Sequence, residues 1–145
     1  MNVRPSLYAE ELHKKNSDAL GFIPRSRLES YERNGQILIQ KEGGDECGYL
    51  IFGKGWPYLR IYQACIDYDV RRQKHGFSLV SKLVKEAGKR HEKILLRCRE
   101  NLEANIFWEA AGFSLLRSEP GGKRRNKNIN VWQLDIKNPL QMSLL

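Results

Sequence analysis

The sequence is short of everything that would mark a secreted, membrane-spanning or metal-built protein. It has three cysteines, Cys47, Cys65 and Cys98, an odd number with no CxxC spacing. That argues against a disulfide framework or a zinc site, and no metal ligand set is expected; a free cysteine packs as a small hydrophobe. No apolar run exceeds a few residues, so no segment is long enough for a transmembrane helix. The first residues, MNVRPSLYAEELHKKNS, lack the apolar stretch of a secretory signal. There is no internal repeat and no low-complexity tract. A cytoplasmic protein with no membrane partner is the expectation.

What is present suits one soluble α/β domain. The chain has 145 residues, 41% hydrophobic and 29% charged, with a net charge of +8. The charge is uneven. Residues 1–69 hold 9 basic and 10 acidic side chains, while residues 70–145 hold 16 basic and 7 acidic. The second half therefore invites an anionic partner, a phosphate-bearing cofactor or a nucleic acid, with a solubilising surface as the plain alternative.

The periodicity predicts ten elements. Leu7–Asn16 can place Leu7, Tyr8 and Leu12 on one helix face. Pro24 suits the first position of a second helix to about Arg33, burying Leu28 and Tyr31, with Asn34-Gly35 as its end. Gln36–Glu42, Glu46–Gly53 and Leu59–Asp67 read as an antiparallel meander, the first pair joined by Gly43-Gly44-Asp45. After a basic loop, Val70–Gly76, the doublets Leu79-Val80 and Leu83-Val84 with Ala87 make the clearest amphipathic helix. Lys93–Arg99 is a strand. Asn101 can cap a helix through Ala111 that presents Leu102, Ile106 and Ala110, with Gly112 closing it. Phe113–Arg117 and Asn130–Ile136 are the last strands. A strand stub at Asn2–Arg4 is a further option. The order is α-α-β-β-β-α-β-α-β-β, a mixed, largely antiparallel sheet flanked by helices. One domain is expected over residues 1–138, followed by a tail, 139–145, whose Leu140, Met142, Leu144 and Leu145 would suit docking in a homodimer.

Strand, basic loop and helix, IYQACID–YDVRRQKHG–FSLVSKLVKEAG, form the chemical centre. Unpaired amides and the positive dipole end of a helix N-terminus bind phosphate, and Arg71, Arg72 and Lys74 add full charges. The alternative is a solvated loop before a core helix. The loop resembles the pyrophosphate motif of the GCN5-related N-acetyltransferase (GNAT) superfamily, Arg/Gln-x-x-Gly-x-Gly/Ala, in Arg71-Arg72-Gln73-Lys74-His75-Gly76, with Lys74 at the first glycine position. A second register, Gln73-x-x-Gly76-x-Ser78, shifts the helix pattern and is less suitable. About 25 residues on, the block from Asn101 to Phe113 resembles the family's Asn-x-x-Ala-x-x-aromatic-Tyr-x-x-x-Gly-Phe. The resemblance covers roughly residues 20–136.

The resemblance implies a single GNAT-like domain and an acyl-CoA enzyme, with acetyl-CoA as donor and an amine as acceptor. In that family the strand before the loop splays from the next, the pantetheine inserts there, and the pyrophosphate sits on the loop. By position, Ala64, Cys65 and Ile66 would offer backbone contacts to pantetheine. Arg71, Arg72, Gln73, Lys74, His75 and Gly76 would hold the pyrophosphate. Asn101 and Asn105 would reach the cofactor from the second block, with a plain helix cap as the alternative for Asn101.

Trp108 stands where many relatives carry a tyrosine that protonates the departing thiolate. An indole N–H donates a hydrogen bond but is no acid near neutral pH. Another acid, a donor-stabilised thiolate or a non-catalytic module are the three readings. A catalytic base is not evident: Asp67 is the one carboxylate on its strand, beside the polar Tyr62 and Gln63. Cys98, in an apolar strand, is no nucleophile candidate. His75, among cations, tends to stay neutral and suits a backbone or phosphate role. Trp56 and Tyr58 would line an acceptor pocket or simply pack. Lys123, Arg124, Arg125 and Lys127, in the loop bordering the acceptor side, would suit tRNA or DNA phosphates or form a solvated hairpin. Three functions are therefore open: an N-acyltransferase, a nucleic-acid-modifying relative, and a non-catalytic CoA-binding module.

Overall fold

A computed structural model describes residues 4–17, 20–67, 74–88, 90–121 and 127–136. It contains α1 (Pro5–Lys15), α2 (Arg25–Arg33), β1 (Ile37–Glu42), β2 (Asp45–Gly53), β3 (Tyr58–Ile66), α3 (His75–Ala87), β4 (Lys93–Arg99), α4 (Ala104–Ala110), β5 (Ser114–Glu119) and β6 (Ile129–Asp135). The order is the one read from the sequence. Asn2 and Val3 of the suggested strand stub lie outside the described residues, and Arg4 is the residue before α1. The tail 139–145 also lies outside them. The sheet runs β1-β2-β3-β4-β6-β5 and is mixed, mostly antiparallel. Two compact units make up the chain, Met1–Gly53 with Tyr62–Leu83, and Lys54–Ile61 with Val84–Leu145. No helix among the described residues is long and apolar enough to cross a membrane.

In the first unit, α1 starts on Pro5, whose missing N–H costs nothing there. No side chain of its own caps it. Glu32 of α2 does so instead: it accepts the Ser6 N–H at 3.0 Å and the Ser6 hydroxyl at 3.1 Å, and holds the Arg4 guanidinium at 2.8 Å. Pro24 is the N-cap of α2 rather than its first helical residue, one position earlier than expected. Gly43 and Gly44 both have positive φ, 59° and 90°, the backbone that a two-residue hairpin turn needs to bring Glu42 opposite Asp45. Ala9, Leu12, Leu28, Tyr49, Ile51 and Cys65 form a buried cluster. Tyr49 donates to Gln63 Oε1 at 2.5 Å, and Gln63 donates to Gly21 O at 2.9 Å, which pairs the polar groups of these two buried residues. The buried Tyr8 hydroxyl against the same cluster has no hydrogen-bond partner among the described residues.

In the second unit, the β3–β4 register runs in parallel from Tyr58↔Lys93 to Ile61↔Leu96. Parallel neighbours need a crossover, and α3 supplies it. β6 lies between β4 and β5, antiparallel to both, and β5 is an edge. α4 starts two residues later than expected. Asn101 lies in an exposed turn and is not its cap; Glu103 holds that position without a side-chain cap bond. The helix also presents another face. Ile106 is 73% exposed and Ala110 exposed, whereas Trp108 and Ala111 are buried. The cause is Asn105, whose amide is drawn inward and carries its i+3 neighbour Trp108 with it.

Candidate functional site

The strand and the helix on either side of the basic loop form where the sequence suggested, and residues 68–73 between them lie outside the described residues. β3 alternates: Leu59, Ile61, Gln63 and Cys65 are buried, while Tyr58, Arg60 and Tyr62 are exposed. Of the pantetheine candidates, Cys65 is buried and Ala64 and Ile66 are half-buried. The Asp67 N–H donates to Cys47 O at 2.7 Å, which anchors the end of β3 to β2. Arg71, Arg72 and Gln73 lie outside the described residues.

Lys74 is the informative residue. It is exposed, and its φ is +67°, the left-handed region that side chains other than glycine rarely enter. Among the described residues no other non-glycine has a positive φ. α3 begins at once, on His75, and its first backbone bond is Ser78 N–H to Lys74 O at 3.0 Å. The amides of His75 and Gly76 therefore have no acceptor within the helix, and they sit at the positive end of its dipole. This arrangement fits an anion such as a pyrophosphate.

The His75 ring turns away from the helix end toward β1. Its Nδ1 is 3.3 Å from Gln40 Nε2, and its Nε2 is 3.6 Å from a Glu42 carboxylate oxygen, without a hydrogen-bond partner. Lys82 Nζ donates to Gln40 Oε1 at 2.9 Å. The side chain of His75 is thus occupied by β1, which leaves its backbone amide as the group it presents at the open end of the helix. Gln40, Glu42 and Lys82 were missed in the sequence. Two signals pointed to them: a polar residue inside the apolar run ILIQ, and the i, i+7 spacing of His75 and Lys82 on one helix face.

The second block is structural. Asn105 Nδ2 donates to the carbonyls of Arg99 and Leu102, both at 2.8 Å, and of Glu100 at 3.3 Å. Its Oδ1 accepts from Trp132 Nε1 at 2.9 Å and Asn130 Nδ2 at 3.1 Å. The amide's donors and its acceptor are all engaged within the second unit, where Asn105 acts as an internal clamp. Trp108, at the position expected for the tyrosine, faces inward. It is 7% exposed, with ring centroids 4.9 Å from Phe107 and 5.3 Å from Phe113, and belongs to the core.

Tyr62 is 51% exposed, lies 5.7 Å from the Tyr31 ring, and has its phenol over Gly53, where a Cβ would collide with it. The thiols are buried; burial pushes Cys47 up and takes Cys98 up to about 11. Lys123, Arg124 and Arg125 lie outside the described residues, and Lys127 is exposed. Gly121 packs on the Lys127 carbonyl, where any Cβ would clash, so the ends of that connection meet. Trp56 and Tyr58 are both exposed. A separate open cavity of about 580 Å³ lies against α1 and the start of α2, lined by Glu10, His13, Phe22, Arg25 and Leu28 among others. No group of three His, Cys, Asp or Glu side chains among the described residues could hold a metal ion.

The sequence matches no family model and no curated protein. Solved structures do match the fold. The protein smu.2055 from Streptococcus mutans superposes with a TM-score of 0.78 at 18% identity, over 94% of this chain and 96% of that one. An aminoglycoside 6'-N-acetyltransferase complexed with coenzyme A gives 0.76 at 13%, over 90% of each chain. The ribosomal-protein-S18-alanine N-acetyltransferase from Escherichia coli gives 0.74 at 19%, over 94% and 90%. At such identities the likeness is one of fold, which a putative acetyltransferase of the GNAT family from Desulfovibrio desulfuricans also shares, at 14% identity and a TM-score of 0.69 over 86% of this chain and 91% of that one.

Proposed function

We propose that the protein is an acyl-CoA-dependent N-acyltransferase that uses acetyl-CoA and passes the acyl group directly to an amine. The observation that carries this reading is Lys74: at the position of the motif's first glycine, it takes up the left-handed backbone there, directly before α3. The fold and the N-acetyltransferases among its structural neighbours add support.

In this reading residues 71–76 hold the CoA pyrophosphate through the α3 amides and the cations Arg71, Arg72 and Lys74, and the backbone of Ala64–Ile66 faces the pantetheine. Asn101, exposed in its turn, remains a cofactor candidate by position. The thioester supplies an activated acyl group: the amine's C–N bond forms as the C–S bond breaks, CoA leaves as thiolate, and the amine's proton is lost. With Trp108 in the core, we assign protonation of the thiolate to Tyr62, whose phenol is exposed on β3. By the family resemblance, Lys123, Arg124, Arg125 and Lys127 would border the acceptor side. The composition supports a cytoplasmic enzyme.

Calorimetry with acetyl-CoA tests the reading. The wild type should bind it, and the Lys74→Glu/Gly76→Asp variant should not. A wild type that binds no acetyl-CoA, or a variant that binds undiminished, overturns it. Tyr62→Phe should lower kcat and leave KM for acetyl-CoA unchanged.

A further inference from the structure

Trp56 is 77% exposed, while the other two tryptophans, Trp108 and Trp132, are 7% and 6% exposed. Its indole N–H donates to Arg90 O at 3.0 Å. The ring's one polar atom is therefore paired, and what remains exposed is a flat aromatic face. Two further bonds hold the turn that carries it: His91 Nε2 to Gly55 O at 2.7 Å, and Glu92 N–H to Pro57 O at 3.1 Å. An aromatic surface held in place by three hydrogen bonds loses little conformational freedom when something stacks on it.

The surroundings are cationic. Lys54, Arg60 and Arg90 are exposed, Lys93 is half-buried, and Glu92 is the one carboxylate in the stretches 54–60 and 90–93. A rigid aromatic face beside phosphate-pairing cations is the combination that binds single-stranded nucleic acid. A protein partner fits less well. Such partners bury about 800 Å² per side, and in the stretches 54–60 and 90–93 Tyr58 is the one other exposed large apolar side chain beside Trp56.

We propose that the turn before β3 is a stacking platform, on which Trp56 takes one base of a single-stranded RNA or DNA while Lys54 and Arg90 meet its phosphates. The platform does not depend on the acyltransferase reading, because it uses none of the residues assigned to the donor.

Burial of the other two tryptophans makes Trp56 its own reporter. Titrating the full chain with oligo(U) or oligo(dT) at low salt should quench its fluorescence saturably, and added salt should weaken the binding. In anisotropy measurements with a labelled oligonucleotide, Trp56→Ser should bind about tenfold more weakly, and Trp56→Phe should recover most of the loss. Lys54→Gln/Arg90→Gln should weaken binding and reduce its salt dependence. The inference is overturned by an unquenched wild type at low salt, or by Trp56→Ser binding as tightly as wild type. Quenching by poly-glutamate but not by either oligonucleotide also overturns it, in favour of an acidic protein partner.

Discussion

Gln40 of β1 sets the ring of His75 at the start of α3, with its amide Nε2 3.3 Å from the imidazole Nδ1. Lys82 determines which way the amide faces. An ammonium only donates, so the Gln40 oxygen turns to Lys82 and its N–H to His75. Nδ1 must then accept, and the ring proton sits on Nε2, on the side of Glu42. β1 thereby fixes the first residue of the helix whose N-terminus faces the proposed pyrophosphate.

Replacing Gln40 with Leu strands the Lys82 ammonium and His75 Nδ1. The expected cost is about 1–3 kcal/mol of stability in urea denaturation, together with weaker acetyl-CoA binding. Nitrogen NMR of the wild type should show the Nε2–H tautomer of His75, and the variant should lose that preference.

The strain at Lys74 separates from its charge. Lys74→Gly and Lys74→Ala remove the same cation, but only glycine adopts φ +67° freely. Lys74→Gly should be more stable than Lys74→Ala by about 1 kcal/mol in urea denaturation. Both should bind acetyl-CoA more weakly than wild type.

Asn105→Ala removes the clamp joining α4, β4 and β6, and leaves Trp132 Nε1 unpartnered. A loss of about 2–4 kcal/mol is expected in chemical denaturation. Below its unfolding transition the variant should bind acetyl-CoA as tightly as wild type, which a cofactor contact would not allow.

Glu32 predicts a pH dependence. Its hydrogen bond to Arg4, then that from the Ser6 amide, holds its carboxyl below the ordinary value of 4.5. A carboxylate lowered in the folded state stabilises the protein above the unfolded value, and that stability is lost as pH falls through the folded one. Wild-type stability should therefore decline below pH 4.5, and Glu32→Gln should show a flatter decline in that window.

The thiols should be silent. Cys47, Cys65 and Cys98 are buried, and burial lifts Cys98 to about 11. Ellman's reagent near neutral pH should label none of the three in the native protein and all three after denaturation.

Much of this was legible in local patterns. The run LRIYQACID marked β3 and the apolar doublets marked α3, because each pattern extends over a whole element. The seven-residue α4 is too short for its periodicity to outweigh one inward-facing amide, so its buried face was misread as Leu102, Ile106 and Ala110. The position of β6 between β4 and β5 rests on long-range pairing that no local pattern reveals. At the site, the motif positions Lys74 and Gly76 were readable in sequence. The Gln40–His75–Lys82 chain joins residues more than 30 positions apart and emerges only on folding.

Native mass spectrometry of the full chain with acetyl-CoA is the most direct test of the proposed activity. One equivalent of acetyl-CoA should remain bound to each wild-type subunit, and Lys74→Glu/Gly76→Asp should abolish the adduct. A wild-type spectrum without any acetyl-CoA or CoA adduct would contradict the assignment of this chain as an acyl-CoA enzyme.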